Sequence, residues 1–378
     1  MKTFRCDCGS SLYFENSQCL ACGRVIGYLP DAQQLSALEP LDKNNWLALL
    51  NRKSYRQCSN YSGYQVCNWM VSDSDSNNLC ISCRLNNVIP NLSEPQNIML
   101  WYRAEQAKRR LLYTLFSLNL SVVGREQDPR KGLCFEFLQD GVQHGEFDNN
   151  VGESQHIVVT GHYSGKITIN MREAEHGARI EMREKMNERY RTLLGHFRHE
   201  SGHYYWEHLI HGTDKIDSFR ELFGDERIDY QSALSGYYEH GPPPAWQDVW
   251  ISPYASAHSW EDWAETWAHY LHMVDTVETA HDFGFSIHGS DISAAPSAGM
   301  QMSEGYFTPT VFDVLLDDWR RLSVALNALN RSMGLDDAYP FVICEAVLNK
   351  LQYIHQIVTE ASRQSSLVFA PSQTGEAD

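Results

Sequence analysis

Eight of the ten cysteines fall within the first 83 residues, as Cys6-Asp-Cys8, Cys19-Leu-Ala-Cys22, Cys58, Cys67 and Cys80-Ile-Ser-Cys83. Pairs one or two residues apart let two thiolates converge on one metal ion from a tight turn, where backbone N–H groups can stabilise the sulfur charge. Gly9 and Gly23 follow Cys8 and Cys22, at the point where such a turn needs a residue without Cβ. Two four-cysteine sites fit the order most simply: Cys6, Cys8, Cys19 and Cys22, then Cys58, Cys67, Cys80 and Cys83. Spacing alone leaves an exchange of pairs between them open. A disulfide framework is the competing reading. The opening MKTFRCDCGSSLYF has no apolar stretch behind its Lys and Arg, so a secretory signal is not expected, nor an oxidising compartment for these cysteines. Zinc is expected rather than a redox centre, because no C-x-x-C here opens a thioredoxin-like βαβ unit. Closed four-sulfur coordination leaves no position for water, so these two ions are expected to be structural, in a module that braces the fold or docks a protein partner. Cys134 and Cys344 stand alone in apolar surroundings and are expected in the core.

The remaining chemistry must lie further along. The chain has 378 residues, 43% of them hydrophobic and 21% charged, which suits a globular protein of two domains. No run of eighteen apolar residues suggests a membrane span, and a cytoplasmic location is expected. The net charge is -17. Residues 1–95 hold eight Lys+Arg and eight Asp+Glu, so all of that charge belongs to the rest. A neutral front and an acidic body argue against nucleic acid as a partner.

PNLSEPQN, residues 90–97, reads as a boundary. The expected organisation is a cysteine-rich domain over 1–92, a larger domain over 93–364 and a loose tail over 365–378. Residues 40–56 are expected to join the two cysteine groups through a short helix. Apolar periodicity predicts a long helix after residue 97, with Leu100, Trp101, Ala104, Ala107, Leu111, Leu112 and Leu115 on one face. LCFEFLQD reads as a strand, and HIVVTGHYSGKITINM as two strands about a tight turn. Helix is expected over about 172–210, broken near Gly177, over about 259–276, and twice beyond Thr308.

Residues 196–206 read HFRHESGHYYW. His199 and His203, four apart, share a helix face and can place two imidazole nitrogens on one metal ion. Glu200 is turned about 100° from His199. It can flank an open coordination position and take a proton from a metal-bound water, whose pKa zinc lowers to about 7. Leu193, Leu194 and Phe197 give the helix a buried side. A catalytic zinc site needs a third protein ligand. SPYASAHSWEDWAETWAHY, residues 252–270, supplies Glu261 and Glu265, one helical turn apart. A carboxylate pair on a helix is commonly a solvated face, but Trp260, Trp263 and Trp267 surround this one. Glu261 is assigned as the ligand. Glu265 is expected to accept the free N–H of a ligand histidine, His199, and hold its tautomer. His258 is the rival third ligand, and Asp262 points off the shared face. In FGDERIDY, residues 223–230, Asp225 either supports the site or caps a helix, and the cap is preferred.

His199-Glu-Ser-Gly-His203 followed by Glu261-Asp-Trp-Ala-Glu265 resembles gluzincin metallopeptidases, and most closely the lethal-factor type with its Y-x6-E-x2-A-E pattern. Tyr254, seven residues before Glu261, matches the tyrosine. The resemblance implies that Tyr254 donates a hydrogen bond to the oxyanion of the tetrahedral intermediate. The chain also resembles a bacterial family of zinc-binding metallopeptidases with an N-terminal zinc ribbon. The matching stretches are CDCGSSLYFENSQCLACG, CNWMVSDSDSNNLCISCRLNNVIPNLS, AKRRLLYTL, RTLLGHFRHESGHYYW, FGDERIDYQSALSGYYEHGPP and SPYASAHSWEDWAETWAHYLH, spread over most of residues 1–280. The resemblance implies an α+β fold, a zincin-like metallopeptidase domain behind a small zinc-ribbon domain. The function expected is hydrolysis of peptide bonds by a zinc-bound water activated by Glu200, with one catalytic and two structural zinc ions. By fold-level analogy, strands over 156–171 offer an edge for an extended peptide. The alternative is a non-catalytic adaptor whose ribbons dock a protein partner; an intact Glu200 speaks against it.

Overall fold

In the computed structural model, which describes residues 2–143, 154–156, 158–175, 177–178, 192–287, 290–291, 300–303, 306–309 and 312–368, the cysteine-rich segment is built from antiparallel strands. β1 (Phe4–Arg5) pairs with β2 (Ser11–Leu12) beneath the first cysteine turn. β3 (Val25–Leu29), β4 (Gln34–Pro40), β5 (Asn45–Ala48), β6 (Ser54–Gln57) and β7 (Met70–Ser72) form a five-stranded sheet in that order. The helix expected over 40–56 is therefore wrong. Its apolar run is short and bounded by turns: Asp42 accepts hydrogen bonds from the N–H groups of Asn44 and Asn45, and Arg52 sits at φ 58°. Those turns reverse the chain on both sides of Trp46, and the ladder takes up its backbone groups. An aromatic stack fills the space beside the sheet, with Tyr28 4.7 Å from Trp69 and 5.0 Å from Phe14, ring centre to ring centre.

The chain divides into two compact units, Met1–Leu112 with Val123–Tyr204, and Tyr113–Val122 with Tyr205–Asp378. In the first, a one-turn α1 (Ser59–Ser62) lies between the second cysteine ligands, and β8 (Asn86–Val88) leads to α2 (Pro95–Ser117). β9 (Cys134–Leu138), β12 (Gly161–Tyr163) and β13 (Lys166–Asn170) join β8 in a mixed sheet of order β12-β13-β9-β8, with β12 at one edge. β13 and β8 both run parallel to β9, while β12 is antiparallel to β13. β10 (Gly141–Gln143) and β11 (Ser154–His156) make a separate hairpin. The strand expected in LCFEFLQD and the tight turn in HYSG are present, the latter with Ser164 and Gly165 both at positive φ. α2 carries its predicted apolar face and, within it, a polar cluster no periodicity announces. Half-buried Asn86 donates to Glu105 at 2.6 Å and accepts from Lys108, and both of those partners are fully buried. Arg109, also buried, donates to the carbonyl of Val66 at 2.6 Å.

α3 (Leu193–Leu209) begins in the first unit. Phe197 holds it against β9, 5.6 Å from Phe135 and 6.4 Å from Phe137. The helix expected over 172–210 starts as a 3₁₀ turn at Met171–Ala174; residues 179–191 lie outside the described residues.

The second unit is mostly helical: α4 (Ile216–Phe223), α5 (Tyr230–His240), α6 (Ser259–Asp282), α7 (Phe312–Ser332) and α8 (Glu345–Val368), with the short strands β14 (Ser286–Ile287), β15 (Ser290–Asp291), β16 (Met300–Ser303) and β17 (Tyr306–Pro309). Helices expected over 259–276 and beyond Thr308 are present. α8 continues to Val368, and residues 369–378 of the expected tail lie outside the described residues. α6 is buried nearly all round, as a central helix is. Its polar residues therefore need partners: Asp262 receives a 2.6 Å hydrogen bond from Lys350, His269 meets Tyr339 at 2.8 Å, and Tyr270 meets His355 at 3.1 Å. Cys134 is buried as expected; Cys344, just before α8, is only half-buried.

Burial pushes the His355 imidazole down to about 4. The unfolded chain therefore binds a proton near pH 6.5 that the folded chain refuses until about pH 4. The associated stability is complete above pH 6.5 and is lost as the pH falls, by at most about 3 kcal/mol. Denaturant unfolding at pH 7 and 4.5 should show that loss in the wild type and a smaller one in His355→Gln.

Candidate metal centres

The structure gathers the eight cysteines into the two expected groups, without exchange between them. Cys6 and Cys22 place their sulfurs 3.7 Å apart, Cys8 and Cys19 3.7 Å, and Cys67 and Cys80 3.8 Å. A disulfide would bring two sulfurs to about 2.05 Å. Four thiolates at about 2.3 Å from one zinc ion stand about 3.8 Å apart along each tetrahedral edge, so the observed spacing is that of a closed zinc site. Gly9 and Gly23 have φ of 88° and 75°, the left-handed conformation the turns require. At the second group, Trp69 and Cys80 aim backbone N–H groups at the sulfurs of Cys67 and Cys58, each at 3.4 Å. Arg109 adds a charge. Burial opposes its protonation, but Cys67, Glu105, Cys83 and Cys80 outweigh that and hold its pKa above the usual arginine value. The groups differ in exposure: Cys58, Cys67, Cys80 and Cys83 are all buried, whereas Cys8 and Cys22 reach solvent.

On α3, His199 and His203 turn their Nε2 atoms toward one another at 3.2 Å. Two nitrogens at about 2.05 Å from a tetrahedral zinc ion are separated by about 3.3 Å, so this pair fits as two ligands of one ion. His203 and Glu200 are buried, and His199 is half-buried. His162, on β12, stacks on His203 with ring centres 6.1 Å apart. Its own Nε2 accepts a hydrogen bond from the N–H of Gly165, which puts its proton on Nδ1. One turn before His199, His196 is paired with the buried Glu173, which locks the corner after β13 to α3. Neither contact has a local sequence signature.

On α6, Glu261 is 1% exposed, so the solvated-face reading fails for it. Tyr230 donates a 2.5 Å hydrogen bond to its Oε1. Glu265, half-buried one turn on, accepts at 2.6 Å from Ser252. Both rivals to Glu261 are engaged elsewhere. His258 caps α6, its Nδ1 accepting from the N–H of Trp260 while Nε2 donates to the carbonyl of Ile228, each at 3.0 Å. Asp262 belongs to Lys350. Tyr254 opens a 3₁₀ turn before α6 and lies edge-on to Tyr237 at 5.7 Å. Asp225 is not a helix cap. It takes two hydrogen bonds from the Arg227 side chain at 2.8 Å, and the cap of α5 is Asp229, which accepts from Ser232 N–H at 2.8 Å. Gly224 interrupts the chain at φ 97°, and α5 starts only at Tyr230, beyond its cap Asp229.

Comparison with known proteins bears on what these donors are for. Residues 97–357 match the family described as "Putative zinc-binding metallo-peptidase", and residues 3–94 match a zinc-ribbon domain. The chain belongs to that metallopeptidase family. Its relatives include uncharacterized proteins of Mycobacterium bovis and of Mycobacterium tuberculosis (strain H37Rv), each 40% identical over 364 residues, 96% of this chain and 96% of the relative. No solved structure matches. The family description agrees with a zinc-ribbon front and a peptidase-like body, and the cysteine groups supply donors suited to zinc. Among the described residues, no helix is long and apolar enough to cross a membrane.

The difference in exposure has a measurable outcome. A chromogenic chelator should take zinc from the Cys6–Cys22 group well before the Cys58–Cys83 group. Cys6→Ser should abolish the fast phase of release and leave the slow one.

Proposed function

We propose that the chain is a zinc-dependent peptidase, with His199, His203 and Glu261 as the protein ligands of its hydrolytic ion and Glu200 as its base. The observation that carries this reading is the 3.2 Å approach of two imidazole nitrogens on one helix, with a buried carboxylate next in sequence to the first. Such nitrogens meet either through one shared proton or around a cation, and membership of a zinc-binding metallopeptidase family supports the cation. When bound there, zinc supplies Lewis acidity, polarising a scissile carbonyl and acidifying water.

The chain's own residues do the rest. Glu200 takes the proton of the attacking water and passes it to the leaving amine. Tyr254 donates to the developing oxyanion. Glu265, held by Ser252, accepts the ring N–H of His199 and fixes its tautomer. β12, outermost in its sheet, offers backbone groups to an extended peptide. The Cys6–Cys22 and Cys58–Cys83 groups hold one structural zinc each, and thiolates kept reduced in this way belong in the cytoplasm.

Elemental analysis should find about three zinc ions per chain. His199→Ala should lose one of them together with hydrolysis of a peptide library. Glu200→Gln should keep all of them and cut the rate about 10²–10⁴-fold. Full activity in Glu200→Gln would overturn the mechanism. A wild type that binds three ions and cleaves nothing in the library would favour an adaptor, docking a protein through its ribbons.

A further inference from the structure

The segment FGDERIDY, between α4 and α5, is latched more tightly than a connecting loop requires. Arg220 on α4 grips Glu226 through two hydrogen bonds of 2.9 and 2.5 Å. Arg227 grips Asp225 through two more, and Asp229 caps α5. His258, the cap of α6, holds the carbonyl of Ile228. Every one of these contacts fixes the path of the chain just before Tyr230. The Tyr230 ring is then seated edge-on between His258 and Trp260, at 5.3 and 5.6 Å. Its hydroxyl meets Oε1 of Glu261 at 2.5 Å.

We infer that Tyr230 is the positioning residue of the third zinc ligand: its phenol fixes the rotation of the Glu261 carboxylate and commits one of its oxygens, so that ligation runs through the other. The inference rests on the reading of Glu261 as a ligand. A carboxylate can rotate about its last bond and bind an ion through one oxygen or two. A short hydrogen bond from a phenol whose ring is packed on two sides removes that freedom before the ion arrives. Because the phenol proton is directed at Glu261, Tyr230 acts through the ligand rather than on substrate. Tyr254 keeps the oxyanion role.

The test is zinc affinity, measured by chelator competition on the full chain with its cysteine-held ions in place. Tyr230→Phe retains the ring and its packing and should weaken zinc binding at the helix site about 10–100-fold. Its unfolding midpoint under saturating zinc should stay at the wild-type value. Cobalt substituted at that site should change its visible spectrum as the carboxylate becomes free to bind through both oxygens. His258→Asn keeps a cap for α6 but releases Ile228, and should weaken affinity in the same direction by less. Glu261→Ala separates the two ideas. If it binds the third ion as tightly as the wild type, the ligand assignment fails and this inference goes with it. If Glu261→Ala loses the ion while Tyr230→Phe keeps wild-type affinity and spectrum, only the positioning role is overturned.

Discussion

Four thiolates buried together repel one another, and nothing in an apolar interior screens them. Burial first, and then the neighbouring cysteines, push the Cys80 thiol well above its usual range. The N–H groups of Trp69 and Cys80 and the guanidinium of Arg109 reduce that cost, but one arginine cannot balance four sulfurs. A divalent cation can, and the sulfur spacing is what one would impose. The front of the chain depends on this. It is a small segment with a narrow aromatic core, of a size that commonly needs a metal or disulfides to close. Its strands, the α1 turn and the cysteine turns are arranged about two sulfur clusters whose chemistry suits zinc.

The same constraint governs α6, with different solutions. A helix through the middle of a unit cannot carry carboxylates unless each is answered. Lys350 answers Asp262 with a full charge, and also donates to the carbonyl of Val249 at 2.9 Å, so it secures the chain before α6 as well. Tyr113 answers Glu278 at 3.1 Å. Glu261 and Glu265 receive neutral hydroxyl donors, from Tyr230 and Ser252. A lysine beside a carboxylate neutralises it. A hydroxyl orients it and leaves the negative charge for something else to use. That contrast between adjacent residues, Glu261 and Asp262, separates a side chain retained for the fold from one suited to a cation.

What could be read in the sequence was local. Cysteine pairs announce themselves within four residues, H-E-x-x-H within five, and the helices through α2, α6 and α8 by apolar periodicity. What could not be read depends on partners far along the chain. Arg109 meets Val66 across 43 residues, Tyr230 meets Glu261 across 31, and Lys350 meets Asp262 across 88. The mistaken helix over 40–56 has the same origin. Trp46-Leu47-Ala48 suits a helix by propensity, but β4 and β6 lie ready to pair with it, and the Asp42 and Arg52 turns bring them there. His258 stood only as the rival to Glu261, and its actual role was hidden for a subtler reason. As a cap it needs an acceptor on one nitrogen and as a brace a donor on the other, and neutral imidazole supplies both. That leaves it no lone pair for a metal.

The two cysteine groups both close on a C-x-x-C pair and are treated differently by the fold. The second is enclosed, and Arg109 ties it to α2, which also carries Glu105 and Lys108 into the end of β8. Losing its ion would leave a buried guanidinium facing four protonated thiols and would loosen the sheet that steadies α3. The first group has a more open arginine beside it. Arg24, half-buried, faces Cys22 and also lies 3.8 Å from Asp7 and 3.7 Å from Glu39, and Leu20, between Cys19 and Cys22, is 95% exposed. Surface pairs of that kind contribute little to stability. Both groups are nonetheless tied to α2: Arg110 donates to Glu15, inside the first cysteine loop, at 2.5 Å, as Arg109 donates to Val66 beside the second.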